Sequence, residues 1–198
     1  MQDASDIPPY SYPQSAVESA SAKEAPIIDL QADSHFMHEA LREARKGYAR
    51  GEVPVGAVVV HDGRVIARAY NQVECLKDAT AHAEMLALTQ AEAALGDWRL
   101  DGCTLFVTKE PCPMCAGAIV HCRPQRVVFA LPDPKGGAAG GWINLLQTEN
   151  LNHVCSITQG VLEEEARALI QGFFREAREK KKLGLKRTQD GLTEETEA

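Results

Sequence analysis

No apolar run in this chain approaches the roughly 20 residues that a membrane-spanning helix requires. The N-terminus also lacks the basic and apolar regions of a secretory signal; it is acidic and rich in Ser and Ala. We therefore expect a cytoplasmic protein with no membrane partner. In that setting its six cysteines suit metal or redox chemistry better than a disulfide framework. Positive charge is not in excess, and the formal net charge is −7. Residues 1–33 carry six acidic side chains and one basic one, and residues 183–198 carry four and two. The stretch between them holds 18 of each sign, so the acidity lies at the ends and does not bear on what the centre binds. A glycine-rich segment from Lys135 to Gly141 lacks the Gly-Lys-Ser/Thr ending of a phosphate-binding loop, which argues against binding of a nucleoside triphosphate.

What is present fits one domain: 198 residues, 44% of them hydrophobic, suffice for a single full core. Residues 1–33 show Pro8-Pro9 and no apolar period, and are expected to form a flexible acidic tail. Ser34 is the expected N-cap of a helix with Phe36, Met37, Ala40, Leu41 and Ala44 on one face, ending at Gly47 or Gly51. Residues 53–60 and 64–70 form a hairpin about Asp62-Gly63. Gly56 inside the first strand reads as a bulge, a close backbone approach or a packing glycine. A polar loop over 72–79 leads to a helix from Ala81 to about Ala94, capped by Asp78 or Thr80. Beyond it come a buried strand at 104–108, a helix from Pro113 to about Cys122 and a strand at 126–130. A short helical turn at 143–146, a strand at 153–158 and a long helix from Leu162 to about Lys182 complete the domain. Residues 183–198 are the expected C-terminal tail. The pattern predicts an α/β protein: a mixed five-stranded sheet with helices on both faces, over residues 34–182.

The chemistry gathers at two helix starts. Residues 80–84 read Thr-Ala-His-Ala-Glu, and residues 110–115 read Glu-Pro-Cys-Pro-Met-Cys. Together they supply one imidazole, two thiols and one spare carboxylate. A catalytic zinc takes three protein ligands and keeps a fourth position for water, and His82, Cys112 and Cys115 make such a set. Cys112 and Cys115 are three apart, so one helix N-terminus presents both, where free N–H groups and the helix dipole favour thiolates. Glu84 stands too near His82 in the chain to be an obvious fourth ligand, yet is placed to carry protons. A closed structural zinc needs a fourth protein ligand. Cys122 lies about 10 Å along the helix axis from Cys115 and cannot share the ion. Cys75, Cys103 and Cys155 show no ligand spacing and are expected to be buried. A redox pair of Cys112 and Cys115 would leave His82 and Glu84 unexplained. An open, hydrolytic zinc accounts for all four residues, and its chemistry suits an aromatic amidine carbon bearing an exocyclic amine.

With the segments Glu52–Val58, Asn71, Asp78–Glu84, Glu110–Ala118 and Val127–Phe129, residues 36–182 resemble the bacterial tRNA adenosine deaminases of the cytidine deaminase superfamily. Lys135 with Gly137–Gly140, Leu151-Asn152-His153 and Gly172–Arg175 narrow the resemblance to that branch. It implies the three-layer α/β/α cytidine deaminase-like fold and hydrolysis of the wobble adenosine of an anticodon to inosine by a homodimer with one zinc per subunit. His82, Cys112 and Cys115 would hold the metal and Glu84 would shuttle protons. Asn71 would bond the flipped base, with Pro54, Val55 and Ala83 around its pocket. Lys135, Arg175 and Arg178 are candidates for phosphate contact; the basic end of the last helix also reads as a solvated helix terminus. Lys109 departs from the family, which has an apolar residue there beside the pocket mouth, and Gly141 stands where the family pattern has Ser. Two other readings remain open at this point: a deaminase of a free base or nucleotide such as guanine or cytosine, and a non-catalytic RNA-binding module stabilised by zinc.

Overall fold

The computed structural model describes residues 30–194, so most of the expected N-terminal tail, up to position 29, and positions 195–198 lie outside it. In chain order the elements are α1 (Leu30–Ala49), β1 (Gly56–His61), β2 (Arg64–Tyr70), α2 (Val73–Leu76), α3 (Ala83–Leu95), β3 (Thr104–Lys109), α4 (Pro113–Cys122), β4 (Arg126–Leu131), β5 (Ser156–Gln159) and α5 (Glu163–Glu194). The five strands form one sheet in the order β2-β1-β3-β4-β5. β1 pairs antiparallel with both β2 and β3, whereas β3–β4 and β4–β5 are parallel. The sheet is therefore mixed, as the pattern predicts.

Strand alternation divides the core into two layers. Ala57, Val59, Leu105, Val107, Val127 and Phe129 pack against α3 and α4. Val58, Val60, Phe106, Val128 and Ala130 pack against α1 and α5. Gly56 resolves to a close backbone approach: a β-carbon there would stand 2.1 Å from the Ala40 carbonyl oxygen and 2.4 Å from the Ala44 nitrogen of α1. The hairpin turn places Asp62 (φ 49°) and Gly63 (φ 70°) in the left-handed region, the conformation a two-residue Asp-Gly turn is suited to.

Some boundaries differ from those expected. α1 begins at Leu30 rather than after Ser34. The reason is long-range: Asp33, buried in its first turn, accepts two hydrogen bonds from Arg126 of β4 at 2.8 and 2.6 Å. The polar segment 72–79 contains the one-turn α2, whereas 143–146 is not helical and forms an isolated bridge, Ala139 to Asn144, plus turns. β5 starts only at Ser156, three residues later than expected. α5 continues to Glu194 past the expected end near Lys182, so the expected C-terminal tail is helical over most of its length; no proline interrupts it. Among the described residues no helix is long and apolar enough to cross a membrane.

Candidate active site

β3 and the loop before α3 deliver two helix N-termini to one end of the sheet. His82 is the residue before α3, with extended backbone (ψ 153°), and Cys112 holds the same place before α4 (ψ 171°), where Pro113 starts the helix. His82 Nδ1 lies 3.6 Å from Cys112 Sγ and 3.5 Å from Cys115 Sγ. A tetrahedral ion with Zn–S near 2.3 Å and Zn–N near 2.0 Å would separate sulfur from nitrogen by about 3.5 Å, so the three donors fit zinc. Among the described residues this is the one cluster of His, Cys, Asp or Glu side chains close enough to share an ion. Neither sulfur is in a disulfide, and Cys103 and Cys155 are buried elsewhere; Cys75, expected to be buried, is exposed on α2.

Protonation within the cluster is lopsided. A hydrogen bond from Cys115, aided by one with His82, pulls the Cys112 thiol down to about 3, against the cost of its burial. The same bond to Cys112, together with burial, pushes the Cys115 thiol upward. His82 is raised, first by its hydrogen bond with Cys112. Glu84, 4% exposed, is held above the usual carboxylate range chiefly by burial. A carboxyl group raised in this way holds a proton more readily than a solvated one, which suits a group that takes and returns protons.

Above the donors opens a cleft of about 410 Å³, a volume in the range of small-ligand sites. Val55, Asn71, His82, Glu84 and Cys112 line it together, while Cys115 is buried beneath. Pro54 and Ala83 are buried but are not among the lining residues. Lys135 is exposed on the loop after β4, and Arg175 and Arg178 are exposed on α5. Ile170 and Phe174 bring α5 itself to the cleft, a contribution that their helical spacing alone did not reveal.

Two buried carboxylates frame the site, and sequence reasoning assigned a role to neither. Glu52 accepts hydrogen bonds from Asn71 Nδ2 (3.1 Å) and from the backbone N–H groups of Glu74 (3.2 Å) and Cys75 (2.6 Å). A carboxylate accepts but does not donate when ionised, so this contact turns the Asn71 amide nitrogen inward and leaves its carbonyl oxygen for a ligand. The Asn71 backbone N–H is tied to the Val55 carbonyl at 2.9 Å. Glu110 accepts from the N–H groups of Asp133 (2.7 Å), Ala139 (2.9 Å) and Gly141 (2.7 Å), and so organises the loop that carries Lys135. A β-carbon at Gly137 or Gly141 would stand within 2.5 Å of that carboxylate. The only sequence signal was the placement of each Glu at the edge of a segment rich in site residues.

A single mixed sheet with helices on both faces, a His-Cys-Cys donor set and an adjacent buried carboxyl define a zinc-type deaminase, and residues 30–131 match the family model of the cytidine and deoxycytidylate deaminase zinc-binding region. High identity is found within one branch. The chain is 52% identical over 157 residues to the tRNA-specific adenosine deaminase of Bacillus subtilis (strain 168), covering 79% of this chain and 98% of that protein. A solved structure from work on A-to-I editing by tRNA:A34 deaminases at the wobble position of transfer RNA superposes with a TM-score of 0.66 at 45% identity, covering 69% of this chain and 99% of the other. A guanine deaminase from Nitrosomonas europaea superposes at 0.63 with 26% identity, over 75% and 93% of the two chains. The chain belongs to the cytidine deaminase superfamily, in its tRNA-specific adenosine deaminase branch.

Proposed function

We propose that this protein hydrolyses the wobble adenosine of a tRNA anticodon to inosine, releasing ammonia. The observation that carries the reading is the cleft itself: His82, Cys112 and Cys115 at tetrahedral spacing beneath a pocket lined by Glu84 and Asn71, in a chain 52% identical to a tRNA-specific adenosine deaminase. His82, Cys112 and Cys115 would hold one zinc ion per subunit. Zinc in such a site supplies Lewis acidity that brings water to a nucleophilic state near neutral pH. Glu84 takes one proton from the attacking water and gives it to the ring nitrogen beside C6. It then takes the remaining proton from the new C6 hydroxyl and gives it to the departing amine as the carbonyl forms. Asn71, oriented by Glu52, bonds the base edge, and Val55 forms part of the wall. An anticodon-loop base suits such a cleft because it is already partly unstacked and is cheap to extrude.

Lys135 on its Glu110-bound loop, with Arg175 and Arg178 on the same helix as the cleft-lining Phe174, would meet RNA phosphates. The same reading carries a homodimer in the cytoplasm. The guanine deaminase likeness keeps one competitor, a deaminase of free bases. Incubation with an anticodon stem-loop and, separately, with free guanine, cytosine and adenine distinguishes them. We expect inosine in the RNA; turnover of a free base without RNA turnover would reverse the assignment.

A further inference from the structure

The cleft is acidic in composition, with Glu52, Glu74, Glu84 and Glu110 among its lining residues. A substrate carrying phosphates needs a counter-charge where it enters. Among the described residues that line the cleft, Lys109 is the one cation. It ends β3, three residues before Cys112, and its side chain is 32% exposed. Its ammonium pairs with Asp133, on the loop that Glu110 organises.

Asp133 is itself fixed. Its N–H donates to Glu110, and its Oδ1 accepts from the N–H groups of Lys135 (3.1 Å) and Gly136 (3.2 Å). Lys109 therefore has a stationary anchor. An ammonium has three N–H donors, and the Asp133 contact takes one. The other two are available to a second oxyanion without breaking the pair.

We propose that Lys109 is a specificity-determining residue that contacts a backbone phosphate of the RNA next to the target adenosine, with Asp133 and Glu110 as the residues that position it. The assignment rests on the tRNA reading above and names a contact for it. A free base has no phosphate and gains nothing from Lys109, so the lysine favours RNA over the small-molecule competitor.

The test measures deamination of an anticodon stem-loop over a series of salt concentrations for the zinc-loaded wild type, Lys109→Leu and Lys109→Arg. For Lys109→Leu we expect KM to rise about tenfold at low salt, as befits loss of one charge-assisted hydrogen bond. The dependence of log KM on log salt should flatten by about one phosphate contact, with the loss falling in KM and not in kcat. Lys109→Arg should keep KM within about threefold, since it keeps the charge. Matched zinc content and melting temperature establish that the variants are folded. An unchanged KM and salt slope for Lys109→Leu, or equal losses in Leu and Arg variants, overturns the proposal while the tRNA reading stands. Wild type that leaves the stem-loop unreacted overturns both.

Discussion

Substituting Gln for Glu84 removes a titratable carboxyl group and leaves His82, Cys112 and Cys115 in place. The variant should bind zinc as wild type does, while kcat falls by about 10²–10⁴-fold, the usual contribution of a positioned acid–base group. Inosine formation and metal analysis on the same preparation check both halves. Retained activity would remove the proton-carrying role. At this scale the clustering of His82, Cys112 and Cys115 beside Glu84 was legible because their residue types and spacings carry it. Glu52 and Glu110 were not, because a lone glutamate at the edge of an element reads as a solvated charge. Apart from the Asn71 amide, their partners are backbone N–H groups of other segments, 22 to 31 positions away, and no side-chain pattern marks those.

Elements show the same division between local and distant causes. α4 runs from Pro113 to Cys122 as its start and stop signals require, with Pro124 just beyond it. The Asp62-Gly63 hairpin also follows from turn chemistry alone. The start of α1 does not, since it depends on a pairing between residues 93 positions apart. Val53 and Val55 carry strand-forming side chains yet precede β1 and line the cleft, while Pro54 between them has no N–H to extend the ladder. The α1 clamp gives a stability prediction. Asp33→Ala leaves the guanidinium of Arg126 buried without its carboxylate, a loss that typically costs about 3–5 kcal/mol, so the urea midpoint should fall sharply. A midpoint within error of wild type would mean that the pair contributes little. The loop after β4 gives a pH prediction. The hydrogen bond from Lys109 holds the Asp133 carboxyl below its usual range. A carboxyl lowered on folding stabilises the native state above its unfolded value, near 3.9, and this contribution disappears as pH falls through the lowered value. Asp133→Asn should therefore be less stable than wild type at pH 7, by no more than about 1 kcal/mol for a partly exposed pair, and the difference should close in acid. A gap that widened as pH fell would contradict the assigned direction.

On the scale of the whole molecule, the parallel half of the sheet and the hairpin half serve different ends. β3, α4 and the start of α3 bring the metal donors together, while the segments on either side of the hairpin supply Val55 and Asn71 to the cleft. α5 closes the remaining side with Ile170 and Phe174, then continues outward carrying Arg175 and Arg178. On the proposed reading, the molecule joins a hydrolytic centre to a rim where Lys135, Arg175 and Arg178 meet RNA phosphates. The most direct measurement is inosine mapping on tRNA incubated with the zinc-loaded protein, with zinc counted per subunit. Inosine at the first anticodon position, with one zinc per chain, is the predicted result; unmodified tRNA alongside turnover of a free base would contradict it.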